Sequence, residues 1–244
     1  MMENPKKAMA LITGAGVRVG RAIALRLAAR GYTIGLHWHH SEEPARQTAQ
    51  AIEQIGAAVV PLQADLREPK QIEAMFSQIA AGPYRLAVLV NSAAVMQAGD
   101  LMEMSVEDWD ATLTLNLRAP WLCARAAARL MGDQGGVIIQ ISDTGARKAW
   151  TGYPAYVVSK SALETLTRLL ARRLGPHIRV NAIAPGLILP AAGMDENEWQ
   201  RLAQKTALQR PGNPEDVARA VEFLVENLYI TGEVLAVDGG YSLT

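Results

Sequence analysis

Short apolar runs alternate with longer helical patterns along almost the whole chain, and this alternation restricts the possible folds more than any other feature. The apolar runs are rich in aliphatic and β-branched residues, as strands are, and cover 8–13, 33–37, 58–64, 86–91, 137–142, 179–184 and 234–238. They are apolar nearly throughout, which is typical of parallel strands covered on both faces. The sequence therefore predicts an α/β fold, a doubly wound parallel sheet of Rossmann type with about seven strands.

Helical periodicity fills the segments between the predicted strands. The predicted helices cover 18–30, 42–55, 70–80, 109–131, 155–174 and 214–226. The stretch 186–198 has two glycines, a proline and little periodicity. Because a long irregular loop in a compact domain is often functional, we expect a substrate lid around 186–204, although a passive excursion would read the same. No linker or low-complexity tract divides the 244 residues, so we expect one domain, 1–244.

Composition narrows the range of partners. The chain carries 24 basic and 24 acidic side chains, so charge predicts no nucleic-acid or membrane partner and is compatible with a small-molecule substrate. No apolar run reaches the roughly 18 residues of a membrane span, and we expect a cytoplasmic location. Cys123 is the only cysteine, which excludes an intrachain disulfide and indicates a buried helix residue rather than a nucleophile.

A glycine-rich turn follows the first predicted strand. Gly14 and Gly16 lie in the turn, and Val19 and Gly20 open the next helix. Such glycines let the backbone approach a pyrophosphate that the helix N-terminus stabilises, although an ordinary strand-to-helix turn would also contain them. Arg18 interrupts the glycine spacing, and its guanidinium could reach a second phosphate on an adenosine ribose.

The end of the second predicted strand supports this interpretation. An NAD site usually has an acidic residue there, whereas this chain has His37, His39, His40 and Ser41. Imidazole and hydroxyl groups suit a 2′-phosphate, and no carboxylate repels it. Surface polarity and a metal site are the alternatives, but no second His or Cys cluster completes a metal shell, so we expect no metal. These residues predict NADPH as the cofactor.

Two further strand ends offer cofactor contacts. Asp65 and Leu66 follow the third strand, where the carboxylate could grip an adenine, although a helix-initiating turn explains them equally well. Asn91, Ser92 and Ala93 follow the fourth strand, where small residues allow close approach of a cofactor. A plain strand end would look similar.

Tyr156 and Lys160 lie four residues apart on a predicted helix and so project from one face. A nearby ammonium group favours the phenolate and should lower the tyrosine pKa, which would make the phenol a better proton donor to a carbonyl or imine. Taken alone, this spacing is also common on solvated helix faces.

Five motifs in order give the chain a family resemblance. They are the glycine loop, Asn116, the Tyr156/Lys160 pair, the segment 181–186 (NAIAPG) and the segment 237–240 (VDGG). In this order they resemble the short-chain dehydrogenase/reductase family over nearly the whole chain.

The resemblance implies roles for individual residues. Tyr156 would be the proton donor, Lys160 would lower its pKa and hold the nicotinamide ribose, and Asn116 would position a water in a proton relay. Pro185 and Gly186 would shape the loop beside the nicotinamide. The family also implies a homotetramer.

Position 143 departs from the family pattern. The family usually places a serine thirteen residues before the tyrosine, and this chain has Asp143 there. A serine hydroxyl can donate to a ketone oxygen, whereas an ionised carboxylate only accepts hydrogen bonds. Asp143 therefore fits a protonated acid or a substrate with N–H groups. Ser142 could supply the hydroxyl after a one-residue slip, but neighbouring strand positions face opposite sides.

Arg18, the stretch 37–41 and Asp143 together resemble pteridine reductases, NADPH enzymes that reduce pterins and folates. That resemblance implies reduction of a C=N bond in a dihydropterin or dihydrofolate. Those enzymes tend to have an aromatic residue soon after the fourth strand, where this chain has Met96. Four residues are expected to line the substrate pocket: Met96, Trp150, Tyr153 and Leu187. A generic carbonyl reductase and a catalytically silent NADPH-binding protein are the alternatives.

Overall fold

The fold is a seven-stranded parallel sheet covered by helices on both faces. The computed structural model describes residues 7–148, 150–191 and 193–244. The strands are β1 (Lys7–Ile12), β2 (Thr33–Trp38), β3 (Val59–Gln63), β4 (Tyr84–Asn91), β5 (Gly136–Ile141), β6 (Ile178–Pro185) and β7 (Val234–Val237). Their order is β3-β2-β1-β4-β5-β6-β7, and every neighbouring pair is parallel. The predicted fold class and all seven predicted strands are confirmed, with end shifts of one or two residues.

The helices follow the predicted pattern with one interruption and two additions. They are α1 (Arg18–Ala29), α2 (Glu42–Gln54), α3 (Pro69–Ala81), α4 (Val106–Leu113), α5 (Ala119–Met131), α6 (Gly145–Lys148), α7 (Pro154–Leu174), α8 (Glu196–Ala203) and α9 (Pro214–Glu226). The single helix predicted over 109–131 begins earlier and is divided by a π-helical turn, Thr114–Arg118. Sequence periodicity did not predict the short helices α6 and α8, and α8 falls within the predicted lid.

Residues that alternate along the strands pack into two separate cores. In β1, Ala10 and Ile12 join the core that faces α1 and α9, whereas Met9 and Leu11 join the core that faces α3 and α5. Burial on both faces explains why the strands read as continuous apolar runs. Cys123 lies fully buried in the second core, where burial raises the pKa of its thiol to about 12.

Local caps set several helix ends. Asn213 forms a capping box with Asp216 at the start of α9, and Gly31 adopts φ +86° just after α1, as a helix C-terminal glycine does. Ser41 occupies the N-cap of α2 but makes no side-chain cap bond. Within the described ranges, no helix combines the length and apolarity needed to span a bilayer.

The connections place functional residues at one edge of the sheet. The chain reverses its direction of strand addition between β1 and β4, so their carboxyl ends flank a crevice. In doubly wound sheets, ligands bind in the crevice outside the carboxyl ends of the strands at such a reversal.

Candidate active site

A cleft of about 690 Å³ opens at the carboxyl ends of the strands. Its walls include most of the residues that the sequence indicated: Gly14, Arg18, Val19, Gly20, His37, His39, His40, Ser41, Asp65, Leu66, Ser92, Ala93, Met96, Asp143, Tyr156, Lys160, Pro185 and Gly186. Residues from distant parts of the chain therefore share one site, large enough for a cofactor and a small substrate.

The glycine turn has a backbone that larger residues would obstruct. Gly14 has φ +67°, and a Cβ there would lie 3.0 Å from the Cα of Ala93. A Cβ on Gly20 would lie 2.2 Å from the carbonyl oxygen of Gly14. The turn and the start of α1 can pack this closely only because both positions lack a side chain. The first residues of α1, Arg18, Val19 and Gly20, border the cleft, as the N-termini of anion-binding helices do.

His37 holds this turn rather than presenting a cation to the cleft. The Gly14 N–H donates to His37 Nδ1 at 3.1 Å, and the Nε2–H donates to the Ala64 carbonyl at 3.0 Å. Burial lowers the pKa of His37 to about 4, so the ring is neutral near pH 7. The expectation that His37 contacts a phosphate is therefore corrected: although the residue borders the cleft, both ring nitrogens are committed to backbone groups.

The other polar residues at the end of β2 remain open to the cleft. His39 and His40 lie with ring centroids 3.5 Å apart, and Ser41 borders the same cleft. Arg18 lies opposite them with φ +51°, and its guanidinium donates to the carbonyl oxygens of Leu189 and Pro190. Arg18 thus connects the glycine turn to the predicted lid.

Asp65 forms an ion pair with Arg67, a residue that the sequence did not indicate as part of the site. Its carboxylate accepts from Arg67 Nη2 at 2.7 Å and from the Arg67 backbone amide at 2.9 Å. The bond from the Arg67 side chain lowers the pKa of Asp65 to about 2. An adenine contact by this carboxylate would have to compete with Arg67, which itself borders the cleft. In the sequence, the oppositely charged residue two positions after Asp65 was the feature that could have indicated this ion pair.

Gly16 and Asn91 do not line the cleft. A Cβ on Gly16 would lie 3.2 Å from the Cα of Ala45, so this glycine allows α2 to approach the turn. Asn91 is buried, and its Nδ2 donates to the Pro120 carbonyl and to Gln140 Oε1. Their expected cofactor contacts are therefore corrected to roles in packing beneath the cleft.

Asp143 and Tyr156 form the central contact of the site. The Tyr156 hydroxyl donates to Asp143 Oδ2 at 2.9 Å, and the Gly145 N–H donates to Asp143 Oδ1 at 2.6 Å. Burial raises the pKa of the Asp143 carboxyl. A carboxyl group with a raised pKa and a phenol in hydrogen-bond contact can pass a proton between them.

The expected lowering of the Tyr156 pKa by Lys160 is wrong for this structure. Burial and the neighbouring Asp143 raise the pKa of Tyr156 well above its usual value. Lys160 Nζ lies 5.6 Å from the centroid of the phenol ring and donates to the Ile141 carbonyl at 2.7 Å. Burial lowers the pKa of Lys160 to about 8. Tyr156 is therefore held as a neutral phenol, the form that donates a proton.

Ser142 does not take the place of the missing serine. Its hydroxyl donates to Glu164 Oε1 at 3.2 Å, whereas the Asp143 carboxylate reaches the phenol. The two adjacent residues just after β5 thus both contact α7 and border the cleft, and the expectation that they face opposite sides is wrong.

Asn116 lies behind the cleft rather than on its wall. It sits in the π-helical turn, where its Oδ1 accepts from the Val95 amide at 2.9 Å. Its Nδ2 donates to the Val95 carbonyl at 2.8 Å and to Ser159 Oγ at 3.1 Å. Asn116 therefore fixes the segment after β4 against α7, and its predicted role in a water relay stays a prediction.

Only one of the predicted substrate-pocket residues borders the cleft. Met96 does so with 41% of its surface exposed, whereas Trp150, Tyr153 and Leu187 lie outside the lining. Trp150 packs near Tyr153 and Tyr241, with centroids 6.4 and 6.2 Å away, and covers Gly145, where a Cβ would lie 2.7 Å from its ring. For Trp150, Tyr153 and Leu187, the predicted contact with a substrate stays a prediction.

Further lining residues were not anticipated: Val17, Ala64, Arg67, Ala94, Val95, Gln97, Ala111, Leu115, Ile141, Ser142, Ile188 and Leu189. Most are small or aliphatic, so no residue-type signal marked them. Among the described residues, no group of three His, Cys, Asp or Glu side chains could hold a metal ion.

Comparisons with known proteins show which family the chain resembles in sequence and structure. A family model described as enoyl-(acyl carrier protein) reductase matches residues 14–242. The 3-oxoacyl-(acyl-carrier-protein) reductase FabG of Staphylococcus aureus is 34% identical over 238 residues, covering 95% of this chain and 96% of that protein.

Two solved structures combine high structural similarity with a bound cofactor. FolM alternative dihydrofolate reductase 1 from Brucella canis, complexed with NADP, has a TM-score of 0.92 at 30% identity, covering 98% of this chain and 96% of that one. A blue fluorescent protein from a metagenomic library, in complex with NADPH, has a TM-score of 0.89 at 36% identity, covering 96% of this chain and 97% of that one.

Proposed function

The chain belongs to the short-chain dehydrogenase/reductase family of oxidoreductases, and we propose that it is an NADPH-dependent reductase of the C=N bond in a pterin-like heterocycle, such as a dihydropterin or dihydrofolate. The observation that carries the proposal is the 2.9 Å contact between the Tyr156 hydroxyl and Asp143 Oδ2.

The cofactor part of the proposal rests on the chemistry of the cleft. The closely packed turn at Gly14 and Gly20 brings the N-terminus of α1 to the wall of the cleft, where a pyrophosphate would bind. Arg18, His40 and Ser41 border the cleft near the end of β2, and the carboxylate beside them, that of Asp65, is paired with Arg67. These groups fit NADPH, and two similar structures contain NADP or NADPH.

The reaction adds a hydride to the carbon and a proton to the nitrogen of the C=N bond. When bound, NADPH supplies the hydride and is oxidised to NADP⁺. Tyr156 donates the phenolic proton to the nitrogen. Both oxygens of Asp143 accept hydrogen bonds, as an ionised carboxylate does. After Tyr156 has given up its proton, this carboxylate, whose pKa is raised by burial, can take a proton from solvent and pass it to the phenolate oxygen. Lys160, whose Nζ donates to the Ile141 carbonyl beside the phenol, would hold the nicotinamide ribose.

Asp143 favours a nitrogen heterocycle over a simple ketone. An ionised carboxylate can accept hydrogen bonds from the ring N–H and amino groups of a pterin, but it would repel the negative charge that develops on a ketone oxygen. The similar Brucella structure is named a dihydrofolate reductase, which agrees with this substrate class.

A carbonyl reductase of 3-oxoacyl thioesters or small ketones is the second candidate. The similarity to FabG favours it, and the absence of serine at position 143 counts against it. A silent NADPH-binding protein is disfavoured because Tyr156, Lys160 and Asp143 come together in one cleft.

The deciding experiment follows NADPH oxidation with a dihydropterin, dihydrofolate and an acetoacetyl thioester side by side. Tyr156→Phe is the catalytic control, because it removes the proton donor while leaving the glycine turn intact. We expect turnover of a pterin substrate that is lost in Tyr156→Phe while NADPH affinity remains. Turnover of the thioester alone would establish the second candidate, and no turnover of any substrate would favour the silent protein.

We also propose a homotetramer, which the family resemblance implies. Helices α5 and α7 expose Trp121, Val158 and Leu169, which could pack between copies. Light scattering of the purified protein gives the mass directly, and a monomer would contradict this assembly. The cytoplasmic location remains a prediction.

A further inference from the structure

Three consecutive residues at the end of β5 each contact a different residue of α7. The three contacts are Ile141 carbonyl to Lys160 Nζ at 2.7 Å, Ser142 Oγ to Glu164 Oε1 at 3.2 Å, and Asp143 Oδ2 to the Tyr156 hydroxyl at 2.9 Å. The helix partners follow one another at intervals of four residues and therefore share one face. The spacing Tyr-x-x-x-Lys thus extends to a third residue, glutamate.

Glu164 is a buried carboxylate that the proposed reaction does not use. Only 6% of the residue is exposed. Besides the Ser142 hydroxyl, its neighbour is Arg147, whose Nε lies 3.7 Å from Glu164 Oε2. Burying a carboxylate is costly unless hydrogen bonds and an opposite charge compensate it, and these two partners supply both.

We propose that Glu164 is a positioning residue, which holds the Ser142 hydroxyl and thereby keeps Asp143 within hydrogen-bond distance of the Tyr156 phenol. The proposal rests on the proposed function in taking this pair as the proton-delivery unit. It assigns Glu164 no contact with substrate or cofactor.

The segment around Asp143 is fixed on both sides, which explains how such a contact could act. On the far side, the Thr144 amide and hydroxyl both donate to the Pro185 carbonyl, at 3.0 and 3.2 Å. On the near side, the Ser142 side chain is anchored by Glu164. The Ser142 amide also donates to the Ile183 carbonyl at 2.7 Å, so losing the Glu164 contact would leave the backbone held while the Ser142 side chain lost its carboxylate partner. Misplacement of a reacting group by about 1 Å can cost about a hundredfold in rate.

The test compares three variants with a matched control. Ser142→Ala removes the hydroxyl, Glu164→Ala removes the carboxylate, and Glu164→Gln keeps an oxygen acceptor for the hydroxyl. Glu222→Ala is the control. Glu222 is similarly buried, at 5% exposure, but it pairs with Arg26 of α1 and with Arg30 just after α1, and not with residues around Asp143. Its loss should lower stability without reaching the site.

Two readouts separate positioning from a structural role. The first is the pKa of the Tyr156 phenol, which is measured by ultraviolet difference titration. The reference for each variant is the same protein with Tyr156→Phe added. The charged groups beside the phenol are Asp143 and Lys160, and because the neighbouring Asp143 raises the Tyr156 pKa, loosening Asp143 should lower it. This titration needs no substrate, so it gives a result even where pterin reduction fails. The second is kcat with a dihydropterin and with an acetoacetyl thioester.

We expect Ser142→Ala and Glu164→Ala to lower the Tyr156 pKa and to reduce kcat about tenfold or more with whichever substrate the wild type reduces. A fourth variant that carries both Ser142→Ala and Glu164→Ala should lose no more activity than Glu164→Ala alone, since both changes break the same contact, and Glu164→Gln should stay near wild type. An unchanged phenol pKa in Ser142→Ala would overturn the proposal. This variant removes a single hydroxyl, so it decides the matter if Glu164→Ala does not fold. An equal shift in Glu222→Ala would overturn the proposal as well.

Discussion

Acidification should destabilise the protein through His37, the residue that holds the glycine turn. Burial lowers the pKa of His37 from 6.5 to about 4. Above about pH 6.5 the ring is neutral in both the folded and unfolded states, so the contribution of its contacts is fully present. As the pH falls from about 6.5 to about 4, the unfolded state binds a proton that the folded state does not, and stability is lost over this window. Each pKa unit corresponds to about 1.4 kcal/mol, so the loss reaches about 3 kcal/mol.

The assay is urea unfolding of the wild type and of His37→Gln at pH 7, 5 and 4. Glutamine does not titrate, so the difference in unfolding free energy between the two proteins should fall by about 3 kcal/mol between pH 7 and pH 4. His177→Gln, at an exposed position, is the matched control for removing a histidine. A difference between wild type and His37→Gln that does not change with pH would refute the argument that the buried neutral ring holds Gly14.

Three further predictions follow from the cleft and its surroundings. Arg18→Ala should weaken NADPH binding about tenfold or more while leaving NADH binding unchanged, because a charge-assisted bond to the 2′-phosphate is lost; equal losses for both cofactors in titrations would contradict that role. Gly20→Ala should abolish cofactor binding, since its Cβ would lie 2.2 Å from the Gly14 carbonyl oxygen, and a variant with wild-type affinity would show that the turn can adapt. Glu222→Ala should lower the unfolding free energy by about 1–2 kcal/mol, because Arg26 and Arg30 lose their buried partner while Arg26 keeps Glu215; a loss within the error of urea unfolding would mean that the pair contributes little.

The sheet could be predicted because each strand leaves a physical mark on the sequence. Residues such as Met9, Ala10, Leu11 and Ile12 are apolar on both faces, since both faces are buried, and this pattern belongs to few folds. The break in the helix after β4 left no such mark. The sequence around Asn116 keeps helical periodicity, so it does not predict the π-helical turn. The structure shows the turn together with the hydrogen bonds between the Asn116 side-chain amide and the Val95 backbone.

Candidate site residues could be predicted by type and position along the chain, but not by the direction of their side chains. His37 and His39 look alike in sequence, yet His37 points to the backbone of Gly14 and Ala64 and His39 remains at the cleft. Trp150 lies close to Tyr156 along the chain, but it packs over Gly145 outside the cleft. These outcomes depend on which tertiary partners are present, and a single sequence does not record them.

Asp143 is the residue on which the proposed substrate class depends. Its place in the active site could be predicted only from the family spacing, which put it thirteen residues before Tyr156. The hydrogen bond between the two side chains gives the physical reason for that spacing. The pKa of the pair could not be anticipated, because it depends on burial that the sequence does not show.

The most direct test is the ratio of kcat/KM for a dihydropterin to kcat/KM for an acetoacetyl thioester, measured in the wild type and in Asp143→Ser. Serine restores a hydroxyl donor for a ketone oxygen and removes the carboxylate that accepts from ring N–H groups. The account predicts that the ratio falls about tenfold or more, since charge-assisted hydrogen bonds contribute about 1.5–3 kcal/mol. A ratio that stays the same or rises in Asp143→Ser would contradict a carboxylate that selects the substrate.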